Sequence, residues 1–171
     1  MKANVKFAKV RPDAIIPSKR AEDMGFDIYP CFEDDYLAIY PCQTKLIPTG
    51  IASSCDPEYG FVLRERGSTG SKGMALRAGV IDSGYRSEWF VGLTNTTDKI
   101  LFISKLSEQA TYTRHFGEIF MEPSIVYPYS KAIAQALVLP VPEVEAEELT
   151  YEELQAIPSE RGLGKLGSSK K

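Results

Sequence analysis

The chain has 171 residues, of which 43% are apolar, and a formal net charge of −3, so it can bury one sizeable core and carries none of the basic excess that argues for a nucleic acid polymer as partner. A small phosphorylated ligand stays open, because it needs only local positive charge. Cys31, Cys42 and Cys55 form no CxxC pair and His115 is the single histidine, which argues against a disulfide scaffold, a Cys/His zinc site and a histidine-based triad; with no apolar run resembling a signal peptide or membrane span, a reducing, cytoplasmic setting is expected and any general base should be a carboxylate.

In chain order, 4–10 (NVKFAKV) reads as a first strand and the polar stretch 18–23 as a loop. Asp27 follows inside the apolar segment Phe26-Asp27-Ile28-Tyr29. It either needs a cationic partner, such as Arg66, or faces water on an edge strand. Strand candidates then recur at 44–53, 59–66, 87–95 and 133–141, split by proline and turn residues at intervals of roughly ten, the spacing of an all-β sandwich or barrel.

The stretch 64–73 (RERGSTGSKG) places glycines, hydroxyls and cations directly after a strand. Its N–H groups and Arg66 could cradle phosphate oxygens, although it lacks the P-loop pattern; the alternative is a solvated turn. At 78–95, an apolar strand end delivers Asp82 into a turn with Gly84 and Tyr85. Flanked by Val80 and Ile81, Asp82 is either a partly desolvated general base or simply a turn former. Residues 96–128 are longer than an ordinary connection and are read as an insertion with some structure of its own. From 142 the chain turns acidic and then glycine-rich: 143–154 can hold a short helix, and 142–171 is expected to be a linker and mobile arm outside a 1–141 body.

Taken together and in order, these segments resemble the trimeric dUTPases along nearly the whole chain. Five motifs carry the resemblance: Gly25-Phe26-Asp27-Ile28; Glu65-Arg66-Gly67-Ser68 with Lys72; Gly79-Val80-Ile81-Asp82-Ser83-Gly84-Tyr85-Arg86-Ser87 running to Asn95; Ser130-Lys131-Ala132-Ile133-Ala134-Gln135; and the segment from Arg161 to Ser169. The third and fifth are the specific ones.

The resemblance implies a distorted jelly-roll β-barrel with a flexible C-terminal arm, acting as a homotrimer that cleaves dUTP to dUMP and pyrophosphate. It assigns Asp82 to the attacking water, Tyr85 to the deoxyribose, Gly79 and its neighbours to uracil, and Arg66, Gly67, Ser68 and Gln135 to the phosphates, with Asp27 in support. Arg161, Leu166, Gly167, Ser168 and Ser169 would close over the substrate from the arm. Magnesium would be held mainly by the triphosphate and waters, consistent with the lack of any carboxylate cluster at metal-ligand spacing.

The chain departs from the family pattern at Gly67, where a serine is usual, at Ala132, where an arginine is usual, and at Leu166, where a phenylalanine stacks on uracil. Its 96–128 stretch is similar to insertions in some virus-encoded members. Two rival readings remain. A dCTP deaminase of the same superfamily would need a glutamate where Gly92 stands. A nucleotide-responsive regulator would bind a protein partner through 96–128.

Overall fold

The structure, a computed structural model, describes residues 3–117 and 122–164. Twelve strands dominate it: β1 Val5–Lys9, β2 Gly25–Ile28, β3 Tyr36–Ile39, β4 Thr44–Pro48, β5 Ile51–Cys55, β6 Tyr59–Arg64, β7 Met74–Arg77, β8 Val80–Ile81, β9 Phe90–Asn95, β10 Ile100–Ser104, β11 Ser124–Pro128 and β12 Ala134–Pro140. Three short helices are α1 Gly67–Gly70, α2 Glu108–Phe116 and α3 Tyr151–Ala156. The chain divides into two compact units, 1–141 and 142–171.

In the first unit the strands make four small sheets, ordered β1-β5, β11-β10-β3, β2-β12-β6-β8 and β4-β9-β7. Alternation places one face of each on a shared core. Along β12, Ala134 and Ala136 are buried while Gln135 between them points away. Trp89, Phe61, Ile28 and Leu93 are among the largest fully buried side chains. The four-stranded sheet matters most for the site, because β12 lies between β2 and β6 and sets Gln135 opposite both Asp27 and Arg64.

The expected single strand over 44–53 is two strands, broken at Thr49–Gly50 and assigned to different sheets. The 96–128 stretch contributes strands to the body. All five residues of β10 are buried; the strand pairs with β3 on one edge and runs parallel to β11 on the other. Leu101 and Ile103 join the main core, while Phe102 meets Tyr36, Tyr112, His115 and Phe116. An unbroken apolar run is what a strand covered on both faces requires, and α2 supplies part of that cover. Ser107 caps α2 by accepting from the Ala110 N–H.

The second unit holds α3, which begins at Tyr151 rather than within the first acidic residues of 143–154. Thr150 and Glu153 form a reciprocal capping box there, and no residue of the helix is buried.

Candidate functional site

Two polar regions contain the expected site residues of the first unit. The first is the hairpin after β8, whose pairing with β6 puts Ile81 opposite Phe61. Gly79 enters this pairing with φ +114, its carbonyl accepting the Leu63 N–H at 2.8 Å; an added Cβ would lie 3.1 Å from the Leu63 carbonyl oxygen. Glycine is therefore required where the chain crosses β6. Beyond Ile81 the Tyr85 N–H donates to the Asp82 carbonyl at 3.1 Å, so Asp82 and Tyr85 sit on one tight turn.

That turn is tied to the body by two side chains. Arg86 Nη1 donates to the carbonyls of Ser83, Tyr85 and, on β5, Ser53. Glu88 accepts the Gly50 N–H at 2.8 Å and the Arg11 Nε–H at 3.0 Å, while its own carbonyl accepts the Tyr85 hydroxyl at 3.1 Å. Charge-assisted bonds of this kind are the strong members of a hydrogen-bond network. Asp82 itself is exposed and Val80 is 72% exposed. The desolvation expected from its apolar flanks is thus not supplied by one chain.

The second region begins where β6 ends. Thr69, fully buried, accepts the Arg66 N–H and donates to the Arg66 carbonyl, locking the turn into α1. The Arg66 guanidinium pairs with Asp27 at 2.9 and 3.3 Å and reaches Ser68 Oγ at 3.4 Å and the Ala132 carbonyl at 3.5 Å. Asp27 is therefore paired rather than turned to water. Gln135 Nε2 donates to the Glu65 carbonyl at 2.8 Å. The Glu65 carboxylate accepts the Leu76 N–H, which lowers its pKa below the usual range. Gly67 and Ser68 are exposed, and a Cβ added at Gly67 meets nothing within 4 Å. A cavity of about 850 Å³ opens here between Arg66–Ser68 and the loop 18–23.

These regions do not meet in one chain. The register of β8 on β6 carries Asp82 toward Gly60, whereas Arg66 lies past the opposite end of β6. Six residues of extended chain separate those ends by roughly 20 Å. In the second unit, Arg161 donates from its N–H to Ser159 Oγ and from Nε to the Gly164 carbonyl; Leu166, Gly167, Ser168 and Ser169 lie outside the described residues. Sequence patterns assign no individual role to Arg20, Asp23, Arg86 or Glu88. The first two had the i,i+3 spacing of a local ion pair as a signal, while the contacts of Arg86 and Glu88 span the fold. Among the described residues no group of three or more His, Cys, Asp or Glu side chains stands together as a metal site.

With this geometry in hand, the sequence model of the dUTPase family matches residues 11–110, more than half of the chain. This chain belongs to the dUTPase family. A deoxyuridine 5'-triphosphate nucleotidohydrolase from Nautilia profundicola is 32% identical, the match covering 98% of this chain and 99% of that protein. Another, from Leptospira interrogans, is 33% identical over 56% of this chain and 68% of its own length. Among solved structures, the Staphylococcus bacteriophage 80alpha dUTPase with dUPNHPP superposes with a TM-score of 0.71 at 20% identity, covering 98% of this chain and 99% of that one. A mostly-β dUTPase fold is thus common to chains that share few side chains.

Proposed function

We propose that this dUTPase hydrolyses dUTP to dUMP and pyrophosphate, and that the observation carrying the reading is the single pinned turn that presents Asp82 and Tyr85 together. Asp82 orients a water and takes its proton as the water oxygen bonds to the α-phosphorus; the bond from that phosphorus to the bridging oxygen breaks and pyrophosphate leaves. Tyr85, held by its hydroxyl on the Glu88 carbonyl, packs against the deoxyribose and leaves no space for a 2′-hydroxyl. Hairpin backbone groups from Gly79 onward read the uracil edge. Arg66, Gly67, Ser68 and Gln135 hold the phosphates.

Because Asp82 and Arg66 stand at opposite ends of β6, the complete site is built between copies, which supports a homotrimer. The 142–171 segment acts as linker and arm, with Arg161, Leu166, Gly167, Ser168 and Ser169 closing over the substrate. Magnesium would be held mainly by the triphosphate and water rather than by the chain: of the three carboxylates lining the phosphate cavity, Asp23 and Asp27 are paired with arginines, and the ion would offset phosphate charge. A structural Mg(II) ion is named for a dUTPase from phage phi11 of S. aureus. The three cysteines are free and no described helix is long and apolar enough to cross a membrane, which supports a cytoplasmic setting.

The rival readings lose ground on specific residues. A Cβ at Gly92 would stand 2.7 Å from the Arg77 carbonyl oxygen, so the glutamate of a deaminase has no room there. The described part of 96–128 carries no large exposed hydrophobic residue, so the described residues there offer no apolar docking surface. Pyrophosphate release measured with each deoxynucleoside triphosphate and with UTP tests the proposal: dUTP should be strongly preferred, and ammonia release from dCTP would overturn it.

A further inference from the structure

Six charged side chains line the 850 Å³ cavity beside Arg66: three cations, Lys19, Arg20 and Arg66, and three carboxylates, Glu22, Asp23 and Asp27. Their formal charges cancel, and in the free protein each arginine is engaged by an aspartate. The two arginine–aspartate pairs differ in how firmly they are held. In the Arg66–Asp27 pair about a third of each side chain is exposed, and Arg66 bonds Ser68 and the Ala132 carbonyl as well. In the Arg20–Asp23 pair the arginine side chain is 88% exposed, and among the described residues its guanidinium hydrogen-bonds Asp23 alone, through Nε and Nη2 at 2.8 Å each.

We infer that Arg20 is a binding residue for the substrate's triphosphate, held by Asp23 in the free protein and transferred to phosphate oxygens when they enter the cavity. The inference rests on the proposed dUTP hydrolysis. An exposed ion pair gains little, because water screens both charges, whereas a phosphate offers the same bidentate geometry with more negative charge. The incoming charge also repels Asp23, which favours the exchange. Opening the pair leaves the loop intact. The Asp23 N–H donates to the Arg20 carbonyl at 3.2 Å, and Lys19 Nζ bridges the carbonyls of Arg20 and Asp23 at 3.2 and 2.6 Å. Arg20 also offers a second guanidinium to the cavity that Gly67 lines, where the family's serine hydroxyl is missing.

The test is a pair of substitutions that a purely structural clip would make equivalent. Arg20→Gln removes the phosphate contact and should raise KM for dUTP by about tenfold, with a smaller effect on kcat. Asp23→Asn frees Arg20 and should lower KM by a few fold. Binding of dUMP, which lacks the β- and γ-phosphates, should change little in either variant. Movement of KM in the same direction in both variants, an unchanged KM in Arg20→Gln, or an equal shift for dUMP and dUTP would overturn the inference while leaving dUTP hydrolysis standing. If the unsubstituted chain fails to hydrolyse dUTP, the proposed function falls instead. Calorimetry with inorganic tripolyphosphate then decides the inference, which requires weaker binding by Arg20→Gln and tighter binding by Asp23→Asn.

Discussion

The hairpin that carries Asp82 and the cavity beside Arg66 are both polar and both open to water, yet they are held by different means. The hairpin is fixed by hydrogen bonds from distant parts of the chain: Arg86 to β5, and Glu88 to Gly50 and Arg11. The cavity is bounded by a six-residue loop whose outermost pair, Arg20 and Asp23, is local and exposed. The hairpin is thus preorganised for groups that must be placed accurately, a reacting water and a sugar ring, while the cavity has charges that can change partners. Fixed geometry is worth most where a bond forms, and exchangeable charge suffices where a flexible anion is held.

The largest effect that would break this comparison is at the reacting end. Asp82→Asn should lower kcat for dUTP by on the order of a hundredfold or more while leaving substrate affinity nearly intact, because the amide cannot accept the proton from water. Stopped assays of pyrophosphate release would read it, and near-normal turnover would remove Asp82 from the mechanism. The separation of the two regions predicts complementation. Asp82→Asn and Arg66→Gln should each be nearly inactive alone, but chains mixed while unfolded and then refolded together should recover activity at about a quarter of the sites, if each site takes one region from each of two copies. No recovery on mixing would mean that one chain assembles its own site.

A smaller effect should come from loosening the hairpin. Arg86→Ala removes the contacts to Ser83, Tyr85 and Ser53, and kcat should drop by about tenfold together with weaker discrimination against UTP; Arg86→Lys, which keeps one donor, should recover part of both. A purely structural arginine would lower the melting temperature without changing the dUTP-to-UTP ratio. On the cavity side, Gly67→Ser fits without a clash and should lower KM for dUTP by a few fold through one added hydroxyl.

The smallest effect is a titration. The Arg20 guanidinium holds the Asp23 carboxyl at about 2, down from 3.8. A carboxyl lowered in the folded state stabilises the fold above its ordinary value and loses that contribution as pH falls from about 4 toward 2. Both side chains are open to water, so overall stability should barely respond; carboxyl chemical shifts should nonetheless place Asp23 low and move it part of the way back toward its ordinary range in Arg20→Gln, where the backbone N–H of residue 20 still donates to it.

Much of this protein was readable from local patterns. The strands β6, β9 and β12 follow from short apolar runs punctuated by turn residues, and the turn at Asp82 from Ser-Gly after an apolar strand end, because such signals depend on neighbours a few residues away. The family was legible for the same reason, since its motifs are short and occur in fixed order. Folding decided what depends on residues far apart in sequence. The apolar run of β10 became a covered strand of the body because β3 and β11 flank it and α2 lies over Phe102. Asp27 found Arg66 across 39 positions, and Glu88 found Arg11 across 77. Sequence periodicity states which face of an element is apolar; which distant charge meets which, and that Asp82 and Arg66 end at opposite ends of one strand, is fixed by strand pairing alone.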